Sequence, residues 1–273
     1  MKHSMVTAVI AGTLVWSAAA PAQTGNTETA PAAKAAPATP RTVDGHPDLS
    51  GVWWRGADIG GRAPAGTPAA GRGGAGRGPA PVSFVSLYQP PAQAKAKTLS
   101  DKDDPALGCV NTAFGTLGVS LFDVGAVGQI VQTPKFVVLL TETYNSFQIV
   151  PTDGRPHRVD VPPSNRGDAV GHWEGDTLVV DKTNFTDTSW IYAEGRVSFH
   201  SDAMHTVERY RRTDANTLEI EATVEDPKVL SKPWIVPKQT LLLAPFDQIL
   251  ELACSSETKA VMEGAQKQNS PKN

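Results

Sequence analysis

From Gln129 onward, apolar and polar positions alternate with the two-residue period of half-buried β-strands rather than the 3.6-residue period of helices. Gly171-His172-Trp173-Glu174-Gly175-Asp176-Thr177-Leu178-Val179-Val180-Asp181 sets a tight polar turn between two extended runs and reads as a β-hairpin. The same pattern returns from Glu208 to Glu221, where Asp214 and Asn216 form the turn. Strands are expected at 129–133, 136–143, 146–150, 169–173, 177–182, 204–212, 217–225, 236–244 and 248–254. Pro134, Tyr144-Asn145, Thr152 to Pro156 and Pro162 to Gly167 separate the first of them. Ser255-Ser256-Glu257 is placed to cap a short C-terminal helix through Gln266. Many short strands without intervening helices predict an all-β fold, an antiparallel meander closed as a barrel or sandwich.

One strand pair already suggests chemistry. Leu218, Ile220, Ala222 and Val224 share one face of their strand, with Glu219, Glu221, Thr223 and Glu225 on the other, so the aliphatic face points inward. One pairing register places His205, Val207 and Arg209 beside that face, and the other places Thr206, Glu208 and Tyr210 there. Either brings ionisable groups into an apolar interior, where an unpaired charge costs several kcal/mol. A salt bridge between strands satisfies that demand, and so does a catalytic cluster in which His205 or Glu208 moves a proton while Tyr210 and Arg209 orient a ligand.

The ends of the chain have a different composition. Lys2 and His3 precede an apolar run from Met5 to Trp16, and small residues follow to Ala22, which reads as a signal peptide over 1–22. That run is shorter than the roughly 20 residues of a membrane span, so no transmembrane segment is expected. Residues 23–42 are rich in Ala, Pro and Thr and read as a flexible tether. A single domain is expected over 43–266, with a disordered Gly/Pro-rich insertion at 56–82 and a disordered tail at 267–273. A formal net charge of -3 and 40% hydrophobic residues fit one globular core and no nucleic-acid partner.

At the start of the domain, Gly51-Val52-Trp53 resembles the Gly-x-Trp signature of lipocalins, in which the Trp plugs one end of the barrel. The resemblance implies a lipocalin-like, calycin-type β-barrel. Further blocks are Asp44 to Trp53, Thr152 to Pro156, Trp173 to Asp181, His200 to His205 with Val207 to Tyr210, and Glu225-Asp226-Pro227 with Pro233-Trp234. Together they resemble a family of secreted bacterial proteins, usually called hypothetical, common in soil and aromatic-degrading bacteria. Where that family carries Cys-His-Glu near its end, this chain has Cys254-Ser255-Ser256, and Asp168-Ala169 stands where the family has His-Ser. No role resting on those histidines carries over.

The two cysteines, Cys109 and Cys254, are expected to form a disulfide in an exported protein. Closing so long a loop contributes about 4 to 5 kcal/mol in the chain-entropy model. His200 and His205 fall on opposite sides of a strand, and no compact motif joins them to His46, His172 or Glu208, so no metal site is expected. Trp54, Tyr144, His172, Trp190, Tyr192 and His200 are the candidate substrate-binding residues, because barrels of about eight strands hold one small ligand.

No nucleotide, haem or flavin motif is visible, so no cofactor is expected. The leading reading is an exported acid–base enzyme, a lyase or isomerase acting on a small hydrophobic or aromatic molecule such as a lignin-derived dimer. A non-catalytic carrier and an envelope-associated structural protein are the alternatives. The oligomeric state is left open.

Overall fold

The computed structural model describes residues 37–56, 82–113, 127–191, 197–251, 253–256 and 260. The expected signal peptide, residues 23–36 of the tether, residues 57–81 of the insertion, Tyr192, most of the C-terminal helix and the tail lie outside them.

The alternating pattern folds as nine antiparallel strands: β1 (Gly51–Trp54), β2 (Gly128–Gln132), β3 (Phe136–Thr141), β4 (Ser146–Pro151), β5 (Asp168–Glu174), β6 (Thr177–Thr183), β7 (His205–Asp214), β8 (Thr217–Glu225) and β9 (Trp234–Leu243). Their order is β4-β3-β2-β1-β9-β8-β7-β6-β5. Every strand pairs with its neighbour in sequence except β4 with β5, and β1 bridges β2 and β9. The result is the expected lipocalin-like barrel, nearly closed, with one seam.

At that seam side chains replace the backbone ladder. Val150 of β4 packs so close to Gly171 of β5 that a Cβ on Gly171 would stand 2.8 Å from Val150 Cγ1. Further along, Gln148 reaches across and donates from Nε2 to the Arg166 carbonyl at 3.0 Å.

The register of β7 on β8, open in the sequence, is set by a bulge between Arg212 and Asp214. The extra residue, Thr213, puts Arg212 opposite Leu218, Tyr210 opposite Ile220 and Glu208 opposite Ala222. Thr206, Glu208, Tyr210 and Arg212 therefore face inward with the aliphatic side of β8. Leu218, Ile220 and Val224 are all buried, each worth roughly 1.5 to 3 kcal/mol over an exposed position. Slipping β8 by one residue would forfeit that burial and strand its glutamates in the core.

Trp53 is fully buried, its Nε1 donating to the Leu49 carbonyl at 2.9 Å. The Arg212 guanidinium lies 5.0 Å from a Trp53 ring centroid and donates to the carbonyls of Asp48 and Ala215. This contact sets the Arg212 cation against the buried indole.

Residues 84–108 form short helical segments, a 3₁₀ turn at Phe84–Leu87, α1 at Pro90–Ala96 and 3₁₀ turns at Asp101–Asp103 and Pro105–Gly108. Phe84, Leu87 and Tyr88 pack with Trp234 and Phe199 in the main core. Cys109 follows in a left-handed conformation and is disulfide-bonded to Cys254 across 145 positions of sequence. No helix among the described residues is long and apolar enough to cross a membrane.

Two sequence expectations need amending. Residues 248–251 and 253–254 form no strand. Both edges of β9 are already occupied, by β8 and β1, so the chain after Leu243 has no ladder to join there. It folds instead over the outer face, where Ile249 packs with Val52 and Trp54 and the Leu250 N–H donates to Glu142. Residues 37–42, placed by sequence in the tether, are tied to the sheet: the Ala215 N–H donates to the Pro37 carbonyl, and Arg41 pairs with Asp176 at 2.7 Å.

Candidate functional site

Strands β6 and β7 carry ionisable groups on both faces, and alternation sorts them into two chains. Leu178, Val180 and Lys182 of β6 lie on the inward face, with Glu208 and Tyr210 on β7. Lys182 donates from Nζ to Glu208 Oε1 at 2.5 Å, and the Tyr210 hydroxyl donates to Glu208 Oε2. All three side chains are about 1% exposed or less. Burial pushes the Lys182 pKa down against the opposing charge of Glu208. Burial, and then the Glu208 charge, hold the Tyr210 hydroxyl protonated far beyond its usual range. The three side chains form one buried hydrogen-bonded triad centred on Glu208.

The outward face of the same strands carries a second chain. His157, on the loop joining β4 to β5, lies with Nδ1 3.0 Å from Asp168 and Nε2 2.9 Å from Asp181. His205 lies with Nε2 2.9 Å from Asp181 and Nδ1 3.4 Å from Glu225. Each imidazole thus lies between two carboxylates. Partial burial opposes the charge on His205, but the bond and charge of Asp181 and then Glu225 outweigh it and raise the pKa. Partial burial likewise opposes ionisation of Asp181, and its bonds from His205 and His157 override it to lower the pKa.

A third feature is the seam between β4 and β5. A cleft of about 360 Å³ opens there, lined by Phe147, Gln148 and Ile149 of β4, Ala169 and Val170 of β5, and Arg155, Pro156, Arg158 and Arg166 of the connecting loop. Arg166 joins the cleft to the interior: its Nη2 donates to Ser146 Oγ at 2.5 Å, and its charge is felt by both Lys182 and Tyr210. A second cavity, about 420 Å³, lies elsewhere, between Gln89 and the segment from Glu225 to Pro233.

The sequence-predicted site residues do not converge. Glu208 and Tyr210 meet in the interior, whereas His205 and Arg209 face outward, Arg209 pairing with Glu174 at 2.6 Å. His172 is exposed beside Glu174, not in the core. Trp54 lies in the outer cluster, edge-on to Phe246, and the Tyr144 hydroxyl donates to the Ala106 carbonyl. Trp190 is core. His200 is buried with Nε2 3.1 Å from Ser189 Oγ and Nδ1 3.0 Å from the Ser201 carbonyl. The carbonyl requires a donor at Nδ1, so Nε2 accepts from Ser189, and burial lowers the His200 pKa to keep this neutral form. The described residues include no group of three or more His, Cys, Asp or Glu placed to hold a metal ion.

Sequence reasoning overlooked Lys182, His157 and Arg166. Lys182 was detectable, since it shares the period of Leu178 and Val180 on a strand that was expected. Searches against family models, curated proteins and solved structures return no match to this chain.

Proposed function

We propose that the protein is an exported small-molecule-binding barrel that takes an aromatic compound in the seam cleft and acts on it as a cofactor-free acid–base catalyst, a lyase or isomerase. The observation behind this reading is the cleft itself: it has apolar walls, several guanidinium groups, and a buried Lys182–Glu208–Tyr210 triad beyond Arg166. Pockets of about 300 to 1,000 Å³ with apolar walls and few polar groups suit small ligands. In this reading Glu208 is the acid–base group, with Lys182 and Tyr210 bonded to its two carboxylate oxygens. The Cys109–Cys254 disulfide supports export to an oxidising compartment, and the family resemblance to secreted proteins of aromatic-degrading bacteria points the same way.

The complete burial of the triad favours a second reading, in which the triad only holds the barrel together and the cleft carries its ligand without turnover. Incubation of purified protein with lignin-type dimeric aromatics, followed by mass analysis for released fragments such as formaldehyde, separates the two. Products that vanish in Tyr210→Phe support the enzyme, whereas saturable binding without product supports the carrier.

A further inference from the structure

The walls of the seam cleft point to a ligand with two distinct polar ends. The first polar element of the cleft is cationic. Arg155, Arg158 and Arg166 line the cleft against a single lining carboxylate, Asp168. Arg155 is engaged by Asp153 through Nε and Nη2. Arg158 spends only its Nε on Asp168, at 2.5 Å, and its side chain is 64% exposed, so both of its terminal amino groups remain available in the cleft. Two parallel donors on one guanidinium match a carboxylate in geometry as well as charge.

The second polar element is an acceptor. Gln148 is 6% exposed, and its Nε2 is committed to the Arg166 carbonyl, with the Gly167 carbonyl at 3.5 Å. Its Oε1 is buried with no hydrogen-bond partner. An orphaned acceptor of this kind carries a desolvation penalty that a ligand O–H or N–H removes. The cleft is also lined by Phe147 and Ile149, both exposed, with Pro151 and Pro156. These are flat and apolar surfaces suited to a ring. The volume of about 360 Å³ lies near the lower end for small-molecule pockets and suits a single ring with short substituents.

We propose that the seam cleft is selective for a hydroxylated aromatic acid, with the carboxylate held by Arg158, the ring against Phe147 and Pro156, and a ring hydroxyl donating to Gln148 Oε1. This deepens, and rests on, the small-molecule reading above.

The test is calorimetric titration of the full mature chain at pH 6 with 4-hydroxybenzoate, benzoate, methyl 4-hydroxybenzoate and inorganic phosphate. The expected result is saturable binding of 4-hydroxybenzoate, with benzoate and the methyl ester each at least about tenfold weaker, a 1.4 kcal/mol loss per group. Arg158→Met should abolish the preference for acid over ester, and Gln148→Leu the preference for the hydroxylated over the plain acid. Each variant is read as a ratio of affinities, so modest destabilisation does not obscure the result. An ester that binds as tightly as the acid overturns the selectivity while leaving an aromatic-binding barrel standing. Phosphate binding as tightly as 4-hydroxybenzoate overturns it in favour of an inorganic-anion site. If none of the aromatics binds, both this assignment and the small-molecule reading fail. Unaltered preferences in both variants would remove Arg158 and Gln148 from the site.

Discussion

The two faces of β6 and β7 both carry ionisable groups, and they differ sharply in exposure to solvent. Inside, Lys182, Glu208 and Tyr210 are dry. Outside, Asp181 and His205 are about one-third exposed, and Glu225 more so. Neighbouring positions on one strand, Asp181 and Lys182, thus belong to opposite regimes. Coulombic attraction between unit charges at a given separation is several times stronger in a low effective dielectric than in water, and removing one charge from a dry pair leaves the other uncompensated. The inner chain should therefore govern whether the barrel folds, and the outer chain should tune it with pH and salt.

The largest expected effect tests the inner chain. Glu208→Gln leaves the Lys182 ammonium buried without a counter-charge and should cost about 3 to 5 kcal/mol of stability by denaturant unfolding. The triple change Lys182→Met, Glu208→Leu and Tyr210→Phe removes every member at once and should recover most of that loss, because a packed apolar cluster often equals a buried ion pair. A triple variant as unstable as Glu208→Gln would refute the charge argument and point to shape. A smaller effect is expected of Tyr210→Phe alone, roughly 1.5 to 3 kcal/mol for one hydrogen bond to a carboxylate.

These contrasts also show what the sequence could disclose. The strands were legible because period-two alternation is a local property, and the inward aliphatic face of β8 followed from it. The partner face of β7 was not, since a one-residue bulge at Thr213 exchanges His205 and Arg209 for Glu208 and Tyr210. Lys182 was within reach of the same periodicity once Leu178 and Val180 were taken as inward. His157 and Arg166 lie on an irregular loop, where no period applies and only tertiary contact reveals a partner. The expected strand at 248–254 failed for a topological reason, the occupied edges of β9, that no local window contains.

The smallest effect belongs to the outer chain and carries a sign. The raised pKa of His205 means that its contribution is full below the ordinary imidazole value of 6.5 and is lost as pH rises through the folded value. The lowered pKa of Asp181 means that its contribution is present above the ordinary 3.8 and is lost as pH falls through the folded value. The outer chain should be strongest between roughly pH 4 and 6.5. Asp181→Asn removes the acceptor shared by His157 and His205. It should cost no more than about 1 kcal/mol near pH 6, discounted for exposure, and less at pH 9. Thermal melts of both proteins from pH 4 to 9 check this, and parallel curves would break the comparison. In 1 M salt, where the screening length falls to about 3 Å, the Asp181→Asn difference should shrink while the Glu208→Gln difference persists.

The seam has a consequence for how the chain can be rewired. With β1 lying between β2 and β9, the ladder runs unbroken from β5 through β9 and β1 to β4. Sheet order and sequence order thus differ by a cyclic shift alone. A circular permutant that joins the end of β9 to the start of β1 and opens the chain between Pro151 and Asp168 would be a linear ribbon in which every strand pairs only with its neighbours along the new chain. No hydrogen-bonded ladder would be cut. Such a permutant should keep the barrel while freeing the loop that carries Arg155, His157, Arg158 and Arg166, so the scaffold and the candidate binding wall can be separated by cutting at a single loop.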